Sequence, residues 1–145
     1  MPRTDGATQP TFPPERTHRS GSRLVAHWID GILILVLAIL PGVAVGALAG
    51  ADPLDWPLGL TATVLYVPYF VVTQSAAGRS PGKAALGLRV VDAEGSVPSR
   101  GALVRRSVPL IFEWIGIIAL VGMLSSAYRQ RLGDRWARTY VVGDE

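Results

Sequence analysis

No lysine or arginine occurs between Leu24 and Gly78, although the chain carries 14 of them in 145 residues. That gap holds two long apolar runs, separated by the acidic turn Gly50-Ala51-Asp52-Pro53-Leu54-Asp55. As helices, the first run (Leu24 to Ala49) reaches roughly 39 Å and the second (Trp56 to Ala77) roughly 33 Å. Each is long enough to cross the ~30 Å of hydrocarbon in a bilayer. Arg3, Arg16, Arg19 and Arg23 precede the pair, and Arg79, Lys83 and Arg89 follow it. Basic flanks are retained in the cytoplasm. The sequence therefore predicts a transmembrane hairpin with both ends inside and its acidic turn outside.

A cleaved signal peptide is the rival reading of the first run, since Ala47-Leu48-Ala49 resembles a small-residue cleavage site. The run is longer than an ordinary signal core and contains Asp30, which favours a retained helix whose carboxyl has found a partner.

Composition agrees with a membrane domain. The chain is 49% hydrophobic and its mean hydropathy is positive, which is too apolar for an ordinary soluble domain of this size. It has no cysteine, so a disulfide framework, a thiol nucleophile and thiolate metal or iron-sulfur sites are excluded. A net charge of +3 would suit nucleic acid as well as a membrane surface. The confinement of the basic residues to the flanks of the apolar runs selects the membrane. Residues 1–22 are rich in Pro, Thr, Arg and Ser and are predicted to form a disordered basic cytoplasmic tail. The membrane domain then occupies 23–143.

In the first helix Arg23, His27 and Asp30 share one face, because four and seven residues are close to one and two turns. Arg23 lies at the lipid boundary and can snorkel to the headgroups. Asp30 lies about 10 Å further in, where a carboxylate costs on the order of 2.5 to 3.5 kcal/mol. Two readings stand for it: a structural ligand for a neighbouring helix or for Arg23, or an ion or proton site. His27 reads as an interfacial residue beside Trp28 rather than a relay or metal ligand.

After the hairpin, Gly78-Arg79-Ser80-Pro81-Gly82-Lys83-Ala84 superficially resembles a phosphate-binding loop. Its glycines are one residue too close, and Ala84 stands where a magnesium-binding hydroxyl belongs, so nucleotide binding is set aside. Leu88-Arg89-Val90-Val91-Asp92 reads as a short strand closed by the turn Ala93-Glu94-Gly95, and Thr139-Tyr140-Val141-Val142 as its partner. The third apolar segment, Val108 to Leu124, contains Pro109, Glu113, Gly116 and Gly122 and is at the lower limit for a span. Arginines flank both its sides. A re-entrant or half-buried helical pair keeps both flanks inside, whereas a full third span puts four arginines outside. Arg106 and Glu113 repeat the spacing of Arg23 and Asp30, so Glu113 either faces Asp30 across an intramembrane site or pairs with Arg105 or Arg106 beside the headgroups. Asp134, among Arg131, Arg135 and Arg138, is either an ion pair orienting the closing strand or a gate contact for Arg23.

These blocks together resemble the RDD family of bacterial membrane proteins, named for one arginine and two aspartates. The resemblance covers most of residues 20–143. It rests on Arg23 to Asp30-Gly31, on Gly78-Arg79-Ser80-Pro81-Gly82-Lys83 to Gly87-Leu88-Arg89-Val90-Val91-Asp92, and on Arg131-Leu132-Gly133-Asp134 to Ala137-Arg138-Thr139-Tyr140-Val141-Val142. On that resemblance the family-defining residues are Arg23, Asp30 and Asp134, with Gly78, Pro81, Gly82 and Lys83 as the loop motif. The family pattern usually has a histidine where Gly133 stands and a glycine where Arg138 stands. The resemblance implies a multi-pass protein of a bacterial plasma membrane, with transport suspected and ion-proton exchange proposed for some members.

The expected fold class is thus an all-α membrane protein: a two-helix hairpin, a third short or re-entrant apolar segment, and a small cytoplasmic β pair. Three function classes follow. The first is a small transporter or ion-exchange subunit using Asp30, with Glu113 as a second carboxylate. Two or three helices cannot enclose a pathway, so this requires a homo-oligomer or a partner membrane protein, with Gly42, Gly46 and Gly50 offering a close-packing face. The second is a non-catalytic scaffold or accessory module. The third, an enzyme, is disfavoured, because no Ser-His-Asp set, metal cluster or catalytic carboxylate pair falls on one element. No cofactor and no metal are expected. Anionic lipid is expected against the cytoplasmic face, which carries Arg79 to Arg106 and Arg129 to Arg138.

Overall fold

The computed structural model describes residues 10–17, 19–109 and 127–143. Two long helices form the expected hairpin. Helix α1 (Ser20–Ala49) ends at Gly50, whose left-handed backbone (φ 64°) lets its N–H bond back to the Gly46 carbonyl. Helix α2 (Pro57–Ala77) begins with a proline, where a missing N–H costs nothing, and ends at the left-handed Gly78 (φ 69°). Between them the Asp52 carboxylate accepts the Leu54 N–H at 2.9 Å and tightens the turn.

The buried face of α1 is Arg23, Ala26, Asp30, Ile34, Ala38, Gly42 and Gly46. It meets Thr61, Ala62, Tyr66, Phe70 and Gln74 of α2. Ile34, Ala38, Ala62, Tyr66 and Phe70 form the hairpin core. The small residues let the backbones approach, so that the Thr61 hydroxyl reaches the Ala38 carbonyl at 3.3 Å. Gly42 and Gly46 lie on this same face: a Cβ on Gly42 would sit 3.1 Å from the Leu58 Cα, and one on Gly46 3.0 Å from the Ala51 carbonyl oxygen. Of the three glycines expected to offer a close-packing face, Gly42 and Gly46 are therefore already packed within the hairpin, whereas a Cβ on Gly50 would meet nothing within 4 Å. The remaining circumference is apolar and bare, with Ile32, Leu35, Val36, Leu40 and Leu48 of α1 and Leu60, Val64 and Val72 of α2 exposed. Both helices are long and apolar enough to cross a membrane, and only 22% and 28% of their most apolar windows is buried.

At the end opposite the Asp52 turn, short elements form a polar cap. Helix α3 (Pro81–Ala85) leads into strand β1 (Leu88–Val91), followed by α4 (Arg100–Ser107), capped by the Ser99 hydroxyl, which accepts the Ala102 N–H at 3.3 Å. Helix α5 (Leu132–Ala137) and strand β2 (Tyr140–Gly143) complete the described chain. The two predicted strands pair antiparallel, with Val90 opposite Val141 and Arg89 opposite Val142. Ala26, Leu88, Val90, Leu103 and Val141 join the sheet and α4 to the foot of α1.

Among the described residues of 1–22, expected to lack a fold, a 3-10 turn (Pro14–Thr17) is formed and α1 begins at Ser20. Phe12 is buried against Val91 and Val142 and meets the Tyr140 ring edge-on at 5.3 Å. The Thr11 N–H bonds to the Ala93 carbonyl at 2.9 Å. One aromatic side chain and one backbone bond thus fasten part of a segment whose average composition argues for a free tail. The third apolar segment, Val108 to Leu124, lies outside the described residues from 110 onward, and Glu113 with it.

Candidate functional site

Two buried carboxylates organise the junction between hairpin and cap. Asp30 is fully buried. Its Oδ1 accepts the Tyr69 hydroxyl of α2 at 2.8 Å and the Gly82 N–H at 2.8 Å. Its Oδ2 accepts the Ser80 hydroxyl at 2.5 Å and lies 3.8 Å from Lys83 Nζ. Lys83 also donates to the Ser80 hydroxyl at 3.3 Å and sits over the Phe70 ring. The loop motif is built for this approach. Gly78 reverses the chain and its carbonyl accepts the Val90 N–H at 2.6 Å. Pro81 opens α3, and Gly82 lets that turn touch α1, since a Cβ would collide with the Ala26 carbonyl oxygen and crowd the Asp30 carboxyl.

Asp134 makes the second latch. Its Oδ2 receives Arg23 Nη2 at 2.8 Å and the Arg131 N–H at 3.2 Å. Its Oδ1 pairs with Arg106 Nη1 at 2.9 Å. Arg23 also donates to the Arg129 carbonyl at 2.5 Å. One carboxylate from α5 thereby ties α1 to α4 while capping its own helix. Gly133 permits the contact, because a Cβ there would strike the Arg106 carbonyl oxygen.

Several expectations change at this junction. Arg23 does not snorkel: it is 4% exposed and turned inward to Asp134. It is not the partner of Asp30. His27, expected as an interfacial residue beside Trp28, is half-buried: its ring stacks on Phe70 at 6.3 Å and meets Tyr66 edge-on, while Trp28 is exposed. Of the basic residues assigned to headgroups, Lys83, Arg106 and Arg131 are buried. Arg100, Arg105, Arg135 and Arg138 are exposed.

Electrostatics follow from burial. Loss of hydration lowers the Lys83 pKa, Arg106 and Arg131 lower it further, and Asp30 and Asp134 oppose them only in part, leaving it at about 7. Burial alone would raise Asp134, yet Arg106, Arg23, Arg131 and the Arg131 N–H outweigh it and hold the carboxyl below its usual range. Between the latches lies a cavity of about 10 Å³, bordered by Arg23, His27, Phe70, Gln74, Lys83, Arg106, Arg131 and Val141. It has room for a single water-sized group. Among the described residues no set of three His, Asp or Glu side chains is placed to hold a metal ion.

Both latches lie inside the region, residues 19–138, that matches the model of the RDD family. The chain belongs to the RDD family. No curated protein and no solved structure matches it. In this RDD protein Arg23, Asp30 and Asp134 are all buried and all join α1 to the cap. The departure at Arg138 has a local reading: this residue caps α5 with a left-handed backbone (φ 53°), the conformation glycine adopts without strain. Sequence reasoning missed Tyr69, Ser80 and Gln74, and weighed Arg106 only against Glu113. No spacing on one helix could reveal partners that α2, α4 and α5 bring together.

Proposed function

We propose that this RDD protein is a non-catalytic membrane module, in which Arg23, Asp30 and Asp134 hold the polar cap on a hairpin whose bare apolar faces serve lipid and a partner membrane protein or second copy. The observation that carries this reading is the saturation of Asp30, whose two oxygens are taken by Tyr69, Ser80, Gly82 and Lys83. A carboxylate that binds and releases a transported cation needs oxygens open to it. The basic ends belong on the cytoplasmic side of a bacterial plasma membrane by the charge bias. There the exposed Arg100, Arg105, Arg135 and Arg138, with the exposed Leu132 and Trp136 of α5, suit an anionic headgroup layer.

A second reading, an ion-proton exchange subunit, is favoured by Lys83. It is buried, titrates at about 7 and lies 3.8 Å from Asp30, so a cation could replace the lysine charge after the proton leaves. The two separate in liposomes carrying the purified protein and an internal pH dye, given sodium or potassium pulses. The module reading expects no cation-dependent signal from wild type and a lower Tm for Asp30→Asn. A cation-dependent signal that disappears in folded Asp30→Asn protein would replace it with exchange.

A further inference from the structure

Helix α3 differs from the rest of the cap in what it exposes. The exposed residues of α4 include Arg100 and Arg105, and those of α5 and its C-cap include Arg135 and Arg138, whereas α3 exposes Pro81, Ala84 and Ala85. Its polar side chains, Ser80 and Lys83, turn inward to Asp30. Two contacts fix where α3 lies along α1. The Gly82 N–H bonds to the Asp30 carboxylate at 2.8 Å, and a Cβ on Gly82 would collide with the Ala26 carbonyl oxygen. Helix α3 therefore runs beside the stretch from Ala26 to Asp30, further along the apolar run than Leu24.

The register of the hairpin says how much of α1 the hydrocarbon takes up. Thr61 of α2 meets Ala38, Leu58 meets Gly42, and Pro53 meets Gly46, so the exposed Asp55 and Trp56 stand level with Ala44 and Val43. A carboxylate and a tryptophan at that level mark the outer interface. From Ala44 towards the cap, α1 covers about 21 Å to Asp30 and about 30 Å to Leu24. Only the second distance matches the ~30 Å of hydrocarbon. The surface on the cap side of Asp30 agrees with it, since Leu24 and Trp28 of α1 and Val72 of α2 are exposed. On the same turns of α2 the Thr73 and Ser75 hydroxyls donate to the Tyr69 and Val72 carbonyls at 2.7 and 2.9 Å, which satisfies them without water.

We propose that the hydrocarbon extends to Leu24, so that α3 and the Asp30 latch are immersed in the cytoplasmic leaflet and acyl chains cover Trp28, Val72, Pro81, Ala84 and Ala85. The proposal rests on the reading of α1 and α2 as a transmembrane pair, and adds that the loop motif re-enters the bilayer as a plug. The exposed face of α3 continues the bare apolar face of the hairpin. Backbone that leaves a spanning helix at this depth is tolerated where it packs against protein, and α3 packs against α1. Asp30, about 9 Å inside the boundary, then draws from α2 and α3 the hydrogen bonds that water would otherwise supply.

The test uses single cysteines in this cysteine-free chain, labelled with a nitroxide in nanodiscs of phosphatidylcholine and phosphatidylglycerol. Collision rates with oxygen, which concentrates in hydrocarbon, and with a water-soluble nickel chelate report the depth of each label. Val36→Cys probes the span, Arg105→Cys the aqueous side, and Val72→Cys and Ala84→Cys the proposed immersion; all four side chains are exposed, so labelling leaves the core intact. The oxygen-to-nickel ratio is expected to be at least several-fold higher at Val72 and Ala84 than at Arg105. A ratio at Ala84 equal to that at Arg105, with Val36 still protected from nickel, overturns the immersion of α3 and leaves the transmembrane hairpin standing. Free access of nickel to Val36 overturns the transmembrane reading and the proposal with it.

Discussion

Asp30 and Gly82 illustrate how much depends here on single atoms. Gly82 exists to bring one N–H within 2.8 Å of the Asp30 carboxylate, and a methyl group at this position meets the Ala26 carbonyl. Gly82→Ala should therefore destabilise the protein by about 1–3 kcal/mol, the usual cost of overpacking, read as a lower Tm with the hairpin helicity retained. Arg138→Gly should act in the opposite direction. The left-handed conformation costs a non-glycine residue about 1 kcal/mol, the Arg138 side chain is exposed, and its removal should raise Tm. The importance of Asp30 was legible in the sequence, because a carboxylate deep in an apolar run demands a partner. The identity of the partner was not, since Tyr69 and Ser80 carry no mark of their own and Arg23, on the same face, is drawn elsewhere.

At the level of elements, the hairpin and strand pair were readable for physical reasons. A 55-residue gap in basic charge leaves few alternatives to insertion, and two short β-branched runs bounded by turns have only each other to pair with. The cap was not readable, because α4 and α5 are joined through one carboxylate that also caps α5. Arg106 and Asp134 should accordingly be strongly coupled. A double-mutant cycle with Arg106→Gln and Asp134→Asn is expected to give an interaction energy of about 1–3 kcal/mol, measured by chemical denaturation in detergent. Asp134→Asn alone should be the more damaging change, because it strands both Arg23 and Arg106. Exchanging Arg23 and Asp134 should not restore wild-type stability, since the new arginine would face Arg106.

For the whole molecule, the buried cluster links stability to pH. The Lys83 pKa falls from an ordinary 10.5 to about 7 on folding. Between those values the unfolded chain holds a proton that the folded chain has released, so stability should rise as pH increases from about 7 towards 10.5. Lys83→Met should flatten that slope in a pH series of unfolding midpoints. Asp134 works at the other end: its lowered pKa gives stability that is present above the ordinary carboxylate range and is lost as pH falls through the folded value.

The contact between Arg23 and Asp134 joins residues 111 positions apart in the chain, and this separation has a meaning in time. A ribosome adding about 5–20 residues per second makes Arg23 roughly 5 to 20 seconds before the aspartate that pairs with it. During that interval the Arg23 foot of α1 has no Asp134 to pair with. On the topology proposed above, the charge bias would hold the nascent hairpin on the side where it was synthesised before α5 arrives to lock it there.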